Sequence, residues 1–166
     1  MKEELNLPCL YRVSVDNETN IFSFTTKNGI EYKVAFIDNL FLFKGTSVEH
    51  LISKVYSLNI EKVSNSIEPL DKGTQNTIET IITLFFKDRE NSLMYTCETS
   101  DSKEKFRVKK FDKWYAESEI KGEVIKLDAN FGNSPTFYNA FLFHAENPFR
   151  NQLKTGYDEL VATLQK

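Results

Sequence analysis

The chain has 166 residues, 40% of them apolar and 13% aromatic, and carries a net charge of −3. A chain of this size buries its surface around one core, so the reading is a single domain over 1–166, with order expected except at the ends. The negative balance excludes a surface built throughout to attract phosphate.

The opening MKEELNLPCLYRV has acidic residues where a secretion signal is basic, and no apolar run approaches the roughly 18 residues that would cross a bilayer. A cytoplasmic protein without membrane contact is expected. Cys9 and Cys97 are too few and too far apart for a disulfide framework or a structural zinc site.

From residue 9 the chain reads as a meander of strands. CLYRVSV puts Tyr11, Val13 and Val15 on one face, IFSFTT adds Phe22 and Phe24, and IEYKVAFI adds Tyr32, Val34 and Phe36, all at period two. A four-residue loop over Asp16–Thr19 would pair Val13 with Phe22 and Tyr11 with Phe24. At TKNGI, a two-residue hairpin would set Phe24 opposite Lys33 and split the apolar faces. A three-residue loop with Gly29 left-handed instead pairs Phe24 with Tyr32 and Phe22 with Val34. The opposite face carries Arg12, Ser14, Ser23, Thr25, Glu31 and Lys33.

Residues 38–54 fit either a strand extension through LFLF or a short helix spaced by Val48, Leu51, Ile52 and Val55. YSLNIEKV alternates as a fourth strand, ended by a turn at NSIEPLDKG. Residues 74–87 place Ile78, Ile81, Ile82, Phe85 and Phe86 on one helical arc, with a strand as the alternative because so many residues are β-branched. SLMYTCE reads as a strand, followed by a basic helix and by strands at 122–130 and 136–144 joined by FGNSP. A last helix is capped by Asn147, with Pro148 in its first turn. Its Phe149, Leu153, Tyr157, Leu160, Val161 and Leu164 fall within about 120° of the wheel. The fold class that follows is α+β, a mainly antiparallel sheet with about three helices packed on one face.

The segment SDSKEKFRVKKFDKWY holds six basic residues against three acidic ones, a local excess of +3. On a helical wheel Val108, Phe111, Trp114 and Tyr115 form an apolar arc, while Lys105, Lys109, Lys110 and Lys113 form another with Phe106 among them. Arg107 projects on the apolar arc near Trp114 and reads, with it, as structural. The lysine side reads first as a solvated face. As a binding surface, Lys105, Phe106, Lys109 and Lys113 would hold a phosphate backbone and stack a base, although no nucleic-acid motif accompanies them.

Candidate catalytic groups are sparse. His144 with Glu146 lies at a strand end before a helix N-terminus, where an imidazole more often hydrogen-bonds the turn. His50 stands beside Glu49. Cys97 with His144 and Asp101 would make a nucleophile setting, but an apolar strand raises a thiol's pKa. There is no Gly-rich phosphate loop and no metal-binding pattern, so no cofactor or metal is expected and a non-enzyme is favoured.

YTCETSDSKEKFRVKKFDKWY, through Tyr95, Cys97, Asp101, Arg107, Phe111 and Trp114, resembles the most recognisable stretch of a family of small bacterial proteins without assigned function, as does the Asn147-Pro148 helix start. The resemblance implies a strand, loop and helix over 92–117 and brings no activity, cofactor or catalytic residue with it. The sequence therefore points to a binding or protein-interaction module, its partner a protein and possible self-association included. A nucleic-acid-associated regulator using the lysine row is the alternative, and a small enzyme at His144 and Glu146 the third reading.

Overall fold

The computed structural model describes residues 1–64, 71–97, 104–131 and 137–165, without the side chains of Glu104 and Lys105. The turn expected at FGNSP, most of that at NSIEPLDKG, and Asp101 fall outside this range. Among the described residues eight strands, mostly antiparallel, and three α-helices form an α+β fold. None of these helices is long and apolar enough to cross a membrane. By contact the chain falls into two compact units, Met1–Ile37 with Leu58–Lys87, and Asp38–Ser57 with Asp88–Lys166.

The first unit holds β1 (Lys2–Leu5), β2 (Val13–Asp16), β3 (Ile21–Thr25), most of β4 (Glu31–Asp38), the end of β5 (Val55–Lys62) and helix α1 (Lys72–Phe85), with the strands adjacent in that order. The Gly29 loop forms as the sequence predicts: Gly29 has φ +78°, and Phe24 pairs with Tyr32 and Phe22 with Val34. The loop before it differs. Val15, not Val13, faces Phe22, a shift of two residues that keeps every side chain on its expected face. The cause is Asp16, which ends the strand instead of opening the loop. Its carboxylate accepts the N–H groups of Glu18 and Thr19, and Asn20 closes the turn at φ 56° with its N–H on the Asp16 carbonyl.

Helix α1 covers the apolar face of this unit. Asp71 caps it by accepting the Thr74 N–H, Ile78, Ile81 and Ile82 are buried, and Phe85 stacks on Phe36 at 4.1 Å. The polar face carries Ser14 and the buried Ser23, their hydroxyls 3.1 Å apart across the strands.

The second unit holds the start of β5, then β6 (Ser92–Cys97), α2 (Glu104–Glu117), β7 (Val124–Phe131), β8 (Phe137–His144) and α3 (Arg150–Leu164). Val55–Ser57 pair in parallel with β6, β6 pairs antiparallel with β8, and β8 with β7 at the edge. Residues 38–54 are neither strand extension nor α-helix: LFLF is a 3-10 turn, Leu40–Phe43, followed by irregular turns that send Phe43, Val48 and Ile52 into the core.

The helices of this unit do not share one face, contrary to expectation. Met94, Phe141 and Phe143 point to α3, where Phe141 and Tyr157 rings lie 5.1 Å apart, while Tyr95, Lys126 and Tyr138 alternate to the other side and meet α2. The reason is that β6 and β8 are apolar on both faces. Leu93, Met94, Phe141 and Leu142 are all essentially buried, and such strands need cover above and below. Helix α3 starts later than predicted. Asn147 accepts the Phe149 N–H in a preceding turn, and Phe149 holds the cap position without a side-chain bond.

Candidate functional site

Polar side chains converge most densely where α2 crosses β7 and β8. Lys126 on β7 is only 7% exposed at its side chain, yet its ammonium donates to Asp112 on α2 at 2.8 Å, to the Tyr138 hydroxyl on β8 at 3.0 Å, and to Asp128. Tyr138 in turn donates to Asp128 and approaches Asp112 at 3.2 Å. The rings of Phe111, Tyr115 and Tyr138 surround the cation at 5.7–6.0 Å.

Burial alone would pull the Lys126 ammonium down, but its hydrogen bonds to Asp112 and Asp128 and their charges outweigh that and hold it above its ordinary value. Burial first, then the Asp128 bond and the charges of both carboxylates, push the Tyr138 phenol well up. A lysine held protonated is no nucleophile, and a phenol held protonated is no base. The cluster ties α2 to the sheet. Its rings Phe111 and Tyr115 lie on the apolar arc predicted for α2, whereas Lys126, Asp128 and Tyr138 belong to no predicted site, although KLDAN carries a signal: Lys126, Asp128 and Asn130 alternate with Ile125, Leu127 and Ala129.

The lysine row occupies the outer side of α2. Phe106 is 69% exposed, Lys109 is exposed, and Lys113 is exposed with Glu117 3.9 Å away. The Lys105 side chain lies outside the described residues. Trp114 is buried and tilted against Phe111 at 5.1 Å, with its Nε1 lacking a hydrogen-bond partner. Arg107 lies at the exposed surface of the helix, close enough for its charge to act on Tyr95, whose phenol burial pushes up.

The catalytic candidates separate. The His144 Nδ1 accepts the Glu146 backbone N–H at 3.0 Å, its Nε2 lies 3.9 Å from the Glu123 carboxylate, and the Glu146 carboxylate is paired with Arg89. The imidazole is thus a turn brace, as the alternative reading had it. Cys97 is buried and pairs across the sheet with Tyr138, six residues from His144 along β8 and so about 20 Å away. His50 meets Glu49 at 2.9 Å on the surface. Among the described residues no group of three or more His, Cys, Asp and Glu gathers to hold a metal. In the first unit, an open groove of about 490 Å³ is lined by Lys2, Arg12, Lys27, Ser14, Ser23 and Glu31 among others.

Beside the Lys126 cluster, β7 ends the sheet. The Ala145 N–H bonds the Glu123 carbonyl at 2.8 Å, in the same register that pairs Val124 with His144. Residues 125, 127 and 129 therefore exchange backbone bonds with β8, and Val124, Lys126, Asp128 and Asn130 turn theirs outward. At the two ends of this row the carbonyls are bonded. Tyr115 donates its hydroxyl to the Val124 carbonyl at 2.6 Å, and Gln165 Nε2 reaches the Asn130 carbonyl at 3.4 Å. Between them, the backbone groups of Lys126 and Asp128 face outward from the sheet.

Comparison with curated proteins gives no match. The α2–β7–β8 cluster and the β7 edge all lie within residues 70–159, the stretch matched by the sequence profile of a family of unknown function, DUF6169, and the chain belongs to that family.

Proposed function

We propose that the protein is a non-catalytic, cytoplasmic protein-interaction module that takes an extended strand of its partner on the β7 edge. The observation that carries this is the outward row at Lys126 and Asp128, framed by Tyr115 and Gln165. An added strand satisfies such a row with main-chain hydrogen bonds and reads alternate side chains for specificity. The groups a catalytic reading needs are engaged elsewhere: His144 in its turn, Lys126 and Tyr138 with the two carboxylates. The cytoplasmic setting fits Cys9 and Cys97, both thiols.

The test is a selection of extended octapeptides from a displayed random library, followed by N-methylation of alternate peptide amides. Binders should shift the amide resonances of Lys126 and Asp128, and methylation on the bonding side alone should abolish binding. Binders that map elsewhere, or that tolerate methylation at every position, contradict the reading.

A second reading, a nucleic-acid-associated regulator, draws on exposed Phe106 beside Lys109 and Lys113, with Lys105 one turn before. It requires single-stranded oligonucleotide binding whose log affinity falls against log salt with a slope of roughly −2 to −3, flattened in Lys105→Gln/Lys109→Gln/Lys113→Gln. Absence of binding at physiological salt sinks it.

A further inference from the structure

We infer that the strand received by β7 is the β7 of a second copy, paired antiparallel about Leu127. This rests on the edge reading above and names its partner. Under a two-fold axis at Leu127, Lys126 faces Asp128 of the second copy and Asp128 faces its Lys126, and each facing pair exchanges both backbone N–H···O bonds. Both pairs fall between the bonded Val124 and Asn130 carbonyls, so no hydrogen bond among the described residues is displaced.

The side chains match on both faces. On the α2 side the half-exposed Asp128 of each copy comes opposite the Lys126 position of the other, whose ammonium stays bonded to Asp112, Asp128 and Tyr138 of its own copy. On the α3 side, Leu127 meets Leu127 and Ile125, 36% exposed, meets Ala129. The neighbouring register, centred on Asp128, would set two Asp128 carboxylates directly opposite and is disfavoured by their repulsion. An inward-pointing charge on an edge strand discourages indiscriminate pairing, and Lys126 is such a charge. A strand presenting a carboxylate two residues from a lysine meets that condition, and β7 itself is such a strand. One strand pair with its flanks belongs to the small class of specific interfaces, below about 1,200 Å², so micromolar rather than nanomolar association is expected.

The experiment uses the full chain. Sedimentation of the wild type over a concentration series should show a reversible monomer–dimer equilibrium, which Ile125→Glu weakens at least tenfold while melting as the wild type does. In a Cys9→Ser background, Leu127→Cys should give a covalent dimer on mild oxidation, because facing non-bonded residues have Cα atoms within disulfide range. Ala129→Cys should not. A monomer at every concentration, or cross-linking through Ala129→Cys or Asp128→Cys in place of Leu127→Cys, overturns self-pairing about Leu127. If the chain stays monomeric while methylation-sensitive peptides still bind, self-pairing fails and the edge reading survives. If those peptides fail too, both fall.

Discussion

Helices α2 and α3 close opposite faces of the same strands with different chemistry. Under α3 the contact is dry. Phe43, Met94, Phe141, Phe143, Leu153 and Tyr157 form one buried cluster, and Gly156 brings the helix backbone onto Val48 and Phe43. A buried polar link, Tyr157 to Asn139 at 2.8 Å, lies within it, and at its surface Glu159 accepts the Ser47 N–H and hydroxyl, both at 3.0 Å. Under α2 the apolar contact is limited to residues such as Phe111 and Trp114, and the helix is positioned by a protonated lysine between two half-exposed carboxylates. The difference teaches that stability in this unit resides on the α3 side. The α2 side sets the helix's place, and among the described residues no strand pairs with the adjoining outer edge of β7.

The largest effect should therefore come from the dry side. Phe141→Ala removes a ring from the centre of the cluster and should cost about 3–5 kcal/mol in denaturant unfolding. Gly156→Ala should follow. Its Cβ would lie 2.5 Å from Val48 Cγ2 and 2.9 Å from Phe43 Cδ1, and because both side chains are buried, overpacking of about 1–3 kcal/mol is expected. A Gly156→Ala protein as stable as the wild type would mean that α3 is less tightly seated than its contacts indicate.

On the α2 side, Lys126→Met should cost less, about 1–2 kcal/mol, because Asp112 and Asp128 are half exposed and water takes up part of the lost pairing. Its pH signature has a definite sign. Lys126 and Tyr138 hold their protons in the folded state above the values of 10.5 and 10.0 at which the unfolded chain releases them. The unfolded chain thus binds fewer protons above pH 10, and stability falls there as pH rises, while below pH 10 the contribution is fully present. Urea titrations should show this alkaline decline, with Tyr138→Phe making it shallower; an identical decline in Tyr138→Phe would remove the phenol from the account. The smallest effect belongs to Lys105→Gln/Lys109→Gln/Lys113→Gln, which should leave the melting temperature unchanged within error because Lys109 and Lys113 face water. A clear loss of stability would show that these lysines carry part of the α2 contact.

Local chemistry was legible in the sequence where it alone decides. The Gly29 loop followed from keeping Phe22, Phe24, Tyr32 and Val34 on one face, and the burial of Phe111 and Trp114 from the wheel of α2. The Asp16 loop sits two residues from the register that alternation predicts, because a carboxylate bonding Glu18 and Thr19, with Asn20 left-handed, moves the register without disturbing the alternation. The Lys126 cluster joins residues 14 and 12 positions apart, on a helix and a second strand, and no periodicity within one element reports it. Opposite placement of α2 and α3 was hidden for the same reason. AFLF, residues 140–143, reads as apolar throughout, which shows that both faces are buried and not which helix covers each.

The central claim is that β7 offers an open backbone edge at Lys126 and Asp128. Amide hydrogen exchange measured residue by residue along Val124–Phe131, in dilute protein, tests it most directly. The amides of Ile125, Leu127 and Ala129, bonded to β8, should be protected, and those of Lys126 and Asp128 should exchange much faster in strict alternation, slowing as protein concentration or a bound strand fills the edge. Equal protection of Lys126, Leu127 and Asp128 in dilute solution would show the edge to be covered and would contradict the account.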